Sequence, residues 1–179
     1  MRLLSDTCAA LKLVAFGDKL FKPGVLSNGD LVLHPRIFNE TKKWPPYKKK
    51  KYENELAQLL KIKSTPGLKP PTQDEADSLN SIIFSTMDEI GSPIGAADRE
   101  KIVSAIYCKA EIVTNDAPFT KVAEALEVTV HTAERIVIEA HSQNVLTKAE
   151  VVLSLKKWAE NGEKAAAPDD AKALREICR

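Results

Sequence analysis

The chain has 179 residues, 44% of them hydrophobic and 28% charged, enough for one ordinary globular domain with a sizeable core and a short helical appendage. Its 26 basic residues nearly cancel its 25 acidic ones, which excludes a uniformly basic coat for nucleic acid and leaves only local charge clusters for that purpose. Cys8, Cys108 and Cys178 are odd in number and far apart, which excludes a disulfide framework or zinc knuckle. Asp6 and Lys12 interrupt the N-terminal apolar stretch, which suits neither a signal peptide nor a membrane span. The expectation is a cytoplasmic protein with reduced thiols and no membrane partner.

In chain order, Arg2 to Ser5 is a short apolar run, and Asp6 opens a segment of helical spacing that stops at Gly17. Asp30 to His34 is a second apolar run. Pro35 then stands at a helix-opening position, and a helix over 36–44 carries Glu40. The prolines at 45 and 46 break that helix, and the pattern restarts over 47–61, with basic early turns and with Leu56, Leu59 and Leu60 free to face the core. A loop is expected over 64–71. Thr72 with Glu75 then forms a capping box for a helix through Ile82, Ile83, Phe84 and Met87 to about Ile90.

After a second loop over 91–97, Asp98 lies near the start of a helix through Ile102, Val103, Ile106 and Tyr107. Residues 111–114 form a short buried strand, 119–126 a helix, and 128–131 a strand. Everything beyond Thr132 is helical, with a stop at Asn161 and Gly162. Strands alternating with helices predict a three-layer α/β/α sandwich around a parallel sheet of four or five strands. The expected division is a domain over 1–145 and a helical extension over 146–179, packed on the domain or used for association.

In open parallel sheets, binding groups collect at the carboxyl ends of the strands, where Asp6 and Asp116 fall. Asp98 and Glu40 sit early enough in their helices to lean over the same edge. Four converging carboxylates repel one another unless a cation intervenes, and hard oxygen donors suit magnesium or manganese. A metal-bound water and a metal-neutralised phosphate are the ingredients of phosphodiester hydrolysis, which requires no histidine; none of the three histidines lies beside these acids in sequence.

Four stretches give this pattern a family likeness. Leu-Leu-Ser-Asp-Thr-Cys-Ala-Ala-Leu at 3–11 resembles the opening strand motif of PIN-domain nucleases, and Glu-Thr-Lys-Lys at 40–43 resembles their second acidic motif. Ala-Asp-Arg-Glu at 97–100 resembles the third, and Ile-Val-Thr-Asn-Asp-Ala-Pro-Phe at 112–119 the fourth. The likeness covers about residues 1–131 and implies a metal-dependent endoribonuclease, in that family often a toxin neutralised by an antitoxin protein. Under it Asp6 and Asp116 bind the metal, Asp98 completes the site or orients water, and Glu40 supplies a ligand or general-base contact. Cys8 departs from the small polar residue, often Asn, that the family commonly places there. The lysine-rich insert and the helical tail are longer than in compact toxins.

Each of these residues also has a plainer reading. An Asp after a strand is most often a helix cap, and a helix-surface Glu40 is otherwise merely solvated. Thr7, Thr114 and Asn115 either touch metal-bound water and substrate or satisfy the backbone at strand ends. Arg99 either contacts a phosphate or pairs with a neighbouring acid. Lys43 belongs to residues 42–52, six lysines and three aromatics that either bind a nucleic-acid backbone or form a solvated helix start with Trp44 and Tyr47 packed inward. Cys8 and Cys108 read as small buried hydrophobes. Two other functions compete: a helix-turn-helix DNA-binding regulator over 120–136, and a PIN-fold binding module without catalysis. The apolar residues of the tail suit packing on the domain, a homodimer, or a partner protein.

Overall fold

In the computed structural model, residues 1–62, 68, 70–163 and 167–179 are described. Four strands, β1 (Arg2–Ser5), β2 (Asp30–Leu33), β3 (Glu111–Val113) and β4 (Val130–His131), form a wholly parallel sheet in the order β2-β1-β3-β4. The fold is the expected three-layer α/β/α sandwich with four strands. Helices α1 (Thr7–Val14), α2 (Arg36–Lys42), α3 (Pro46–Lys51) and α4 (Glu53–Ile62) precede a longer α5 (Gln73–Ile90) and α6 (Ala96–Cys108). Then come α7 (Ala117–Ala125), α8 (Ala133–Ser142), α9 (Lys148–Glu160) and α10 (Pro168–Cys178).

Alternation of side chains along each strand divides the core in two. Leu3, Leu31 and Val113 point to one face and meet α1, α8, α9 and α10 through Leu13, Ile136, Val137, Trp158 and Leu174. Leu4, Val32 and Ile112 point to the other face and meet α5, α6 and α7 through Ile83, Ile102 and Phe119. Because both faces are covered, the strands have apolar residues at successive positions instead of alternating with polar ones. A third cluster, with Leu33, Ile37, Tyr52 and Leu59, seats α2 and α4 beside α1.

Several details differ from the sequence reading. The helix expected over 47–61 is two helices, broken at Tyr52, whose side chain turns into the core. Leu59 is buried and Leu56 partly so, but Leu60 is exposed, because it lies about 100° further round α4 than Leu59, at the edge of the buried face. Ile82 and Phe84 of α5 are likewise exposed, while Ile83 and Met87 carry its packing. Cys8 is exposed, contrary to its reading as a buried hydrophobe. The loop expected over 64–71 lies mostly outside the described residues.

Residues 120–136 form most of α7, the strand β4 paired to β3, and the start of α8, an ordinary unit of the sheet. Thr132 begins α8 by accepting from Arg135 N–H at 3.0 Å, and its hydroxyl donates to Asp170 of α10 at 2.6 Å. Thr132→Ala is expected to cost about 1 kcal/mol in urea unfolding, with Thr132→Ser restoring most of it. Among the described residues no helix is long and apolar enough to cross a membrane.

Candidate functional site

The chain runs from β1 outward to β2, then crosses back to place β3 on the other side of β1. At such a reversal the connections leave in opposite directions and open a crevice beyond the carboxyl ends of the two central strands. Asp6 follows β1 there, and Thr114, Asn115 and Asp116 follow β3; the Asp6 backbone N–H donates to the Val113 carbonyl at 2.9 Å.

Asp6 is 4% exposed. Its Oδ1 accepts from Ala9 N–H at 2.6 Å, capping α1, and its Oδ2 accepts from the Thr114 hydroxyl at 2.5 Å. Burial pushes its pKa up to about 6, against the opposing pull of those two hydrogen bonds and of the Lys101 ammonium; Asp98 adds to the rise. The cap and the site reading are thus not exclusive, since one carboxylate does both.

Glu40 of α2 accepts from the Thr7 hydroxyl. The cation that gathers the acids is Lys101 of α6, 3% exposed, with its Nζ 3.1 Å from Glu40 Oε1 and 3.2 Å from Asp98 Oδ1. Burial works against the ammonium, but the attraction of Asp98, Glu40 and Asp6 outweighs it and raises the Lys101 pKa. Asp98 and Lys101 are one turn apart on α6, so both reach over the same edge.

Asp116 caps α7 by accepting from Phe119 N–H at 2.8 Å, while its own N–H donates to the Thr114 hydroxyl oxygen at 3.1 Å. Thr114, 1% exposed, therefore links Asp6 to Asp116 through one oxygen. It combines the backbone and site roles left open from sequence. Asn115 is engaged at both ends of its amide: Oδ1 accepts from Ala133 N–H at 3.1 Å and Nδ2 donates to Glu134. Glu134 is fully buried and pairs with buried Lys12 at 2.8 Å, so the loop after β3 is pinned from below to α1 and α8.

Among the described residues Arg99 pairs with no acid. It donates to the Ile94 carbonyl at 3.1 Å and lies 4.4 Å over the Phe84 ring. Lys43 is exposed at the end of α2. His34 follows β2, accepts from Arg36 N–H at Nδ1 and holds Ser104 through Nε2 at 3.0 Å. Burial, reinforced by Lys101, lowers its pKa to about 4, so the ring is neutral at pH 7. No histidine neighbours the acids in sequence, yet the fold brings His34 within electrostatic reach of Glu40.

The donors are hard oxygens, as magnesium or manganese requires, and Glu40 Oε1 is buried with no hydrogen-bond partner among the described residues. Lys101 approaches that oxygen as an ion-pair partner outside hydrogen-bond geometry, leaving it an open acceptor. As arranged, no three His, Cys, Asp or Glu donors among the described residues surround one point, because Lys101 lies between Glu40 and Asp98. No protein-family model, characterised protein or solved structure matches the chain.

Proposed function

We propose that the chain is a divalent-metal-dependent ribonuclease of the PIN type, with Asp6, Glu40, Asp98 and Asp116 as its acidic set. One observation carries the reading. Glu40 and Asp98, far apart in sequence, meet at Lys101 within electrostatic reach of Asp6, whose carboxylate is joined through the Thr114 hydroxyl to the backbone N–H of Asp116, beyond the carboxyl ends of β1 and β3. A divalent ion held by these carboxylates supplies an activated water and offsets charge on the scissile phosphate. The chain's own groups do the rest. Thr7 and Thr114 orient Glu40 and Asp6, Lys101 offsets part of the charge of Glu40 and Asp98, and the Asn115–Glu134–Lys12 network holds Asp116 in place.

Lys101 also favours a second reading, a PIN-like binding module without catalysis, because a built-in ammonium offsets part of the acids' charge with no metal. Incubating a pool of structured and single-stranded RNA with manganese, magnesium or a chelator separates the two. Under the first reading, cleavage appears with metal, disappears with chelator, and falls about tenfold or more in Asp116→Asn, the range typical for disturbing a metal site. No cleavage under any condition, together with no calorimetric metal binding, gives the molecule to the second.

A further inference from the structure

We propose that residues 42–51 form a docking track for the sugar-phosphate backbone of single-stranded polynucleotide, delivering RNA to the acid cluster. The inference rests on the nuclease reading for its choice of RNA, but its chemistry stands separately. Lys42, Lys43, Lys48, Lys49, Lys50 and Lys51 fall in ten residues, and no acid occurs between Glu40 and Glu53. Outside these six the acids outnumber the bases, 25 to 20, so this is a local excess in a chain with a net charge of +1.

The fold leaves this excess largely at the surface. Helix α3 has no buried residue, so it contributes little to the core, and its four consecutive lysines repel one another. Among the described residues none of the six pairs with an acid. Lys48 instead lies 3.8 Å over the Trp44 ring, Lys51 4.9 Å over Tyr52, and Lys49 donates to the Lys42 carbonyl at 2.8 Å. These contacts shape the segment while leaving its positive charge uncompensated.

Position and composition select the occupant. Lys43 is three residues beyond Glu40, about 5 Å further along the axis of α2, so the track starts on the element that carries one acid of the cluster. Tyr47 is 76% exposed among the lysines, a platform on which an unpaired base stacks. With no apolar stripe on α3, the segment lacks what a helix needs to lie in a lipid interface.

The test is fluorescence anisotropy of labelled oligouridylate and oligothymidylate with the full chain in chelator, across a salt series. Each lysine that contacts a phosphate contributes about 0.7 to the log–log salt slope for a single strand. The triple variant Lys43→Ala, Lys49→Ala, Lys50→Ala is expected to lower that slope by about 2 and weaken binding about tenfold or more. Tyr47→Ala is expected to weaken binding about fivefold or more with the slope unchanged. Lys156→Ala with Lys157→Ala, on exposed positions of α9, serves as the control and should change neither.

Unchanged affinity and slope in the triple variant, or an equal loss in the control, overturns the proposal. So does binding to anionic vesicles or an acidic peptide without binding to oligonucleotide. RNA held by this track but never cut with manganese defeats the nuclease reading and leaves the track standing. Cutting that is indifferent to the three lysines does the reverse.

Discussion

Asp6→Asn is expected to make the protein more stable at pH 7, by about 2 kcal/mol, while reducing RNA cleavage more than about a hundredfold, beyond the loss usual for groups that merely support a metal ligand. The stability half follows from linkage. The Asp6 carboxyl moves from an ordinary value of 3.8 to about 6 on folding, so between those pH values the native state binds more protons than the unfolded chain. Stability from this group therefore falls as pH rises through that window. Below 3.8 there is no penalty; above about 6 the full penalty, about 3 kcal/mol for a two-unit rise, is present.

An amide does not ionise, so Asn escapes the penalty. Its oxygen can still accept from Ala9 N–H, but its NH2 group faces the Thr114 hydroxyl in place of an acceptor, which takes back about 1 kcal/mol. Urea unfolding at several pH values checks this: the variant's advantage should be largest at pH 7 and close towards pH 4. A variant less stable than the native protein at pH 7 would make Asp6 simply a cap. A stabilising substitution that removes activity is the signature of a group kept for chemistry against its cost to the fold.

Lys101→Met is expected to destabilise by about 2 kcal/mol at pH 7. The cost of stripping one partner from a fully buried pair, about 3–5 kcal/mol, is discounted here because Glu40 and Asp98 are 23% and 33% exposed. The variant leaves Asp6, Glu40 and Asp98 with no ammonium among them. As pH falls through about 6 the Asp6 carboxyl protonates, so the native protein loses that attraction to Lys101 while the variant loses that repulsion, and the gap between them should narrow. If the acids hold a divalent ion, manganese should raise the unfolding midpoint of the variant more than that of the native protein, by mass action on the folded state. A gap independent of both pH and manganese would place the role of Lys101 in the packing of its aliphatic stem.

How far the sequence could reach is visible in these residues. β1, β2 and β3, and the acids at their ends, were legible because apolar runs ending in Asp or His–Pro report both the strand and its exit. Lys101 was not. In Asp-Arg-Glu-Lys it looks like the solvated first turn of a helix, and only the crossing of α6 over the sheet edge turns it inwards. Glu134, within the stretch that also suits a helix-turn-helix, is fully buried on Lys12, a pairing 122 residues apart that no local pattern contains. The split at Tyr52 escaped for a similar reason: a basic run with helical propensity hides a residue whose direction is set by contact with Trp44 and Glu163.

The ties around the crevice also set when it can exist. Thr114 meets Asp6 across 108 positions, Glu134 meets Lys12 across 122, and the Trp158 indole N–H meets the Lys12 carbonyl across 146. A growing chain thus exposes Asp6 and Glu40 long before the residues that confine them have been made. On the nuclease reading, an unfinished chain on the ribosome, surrounded by RNA, holds the acids as separate solvated side chains. Activity arrives only with closure of the domain, so the order of synthesis itself protects the message being translated.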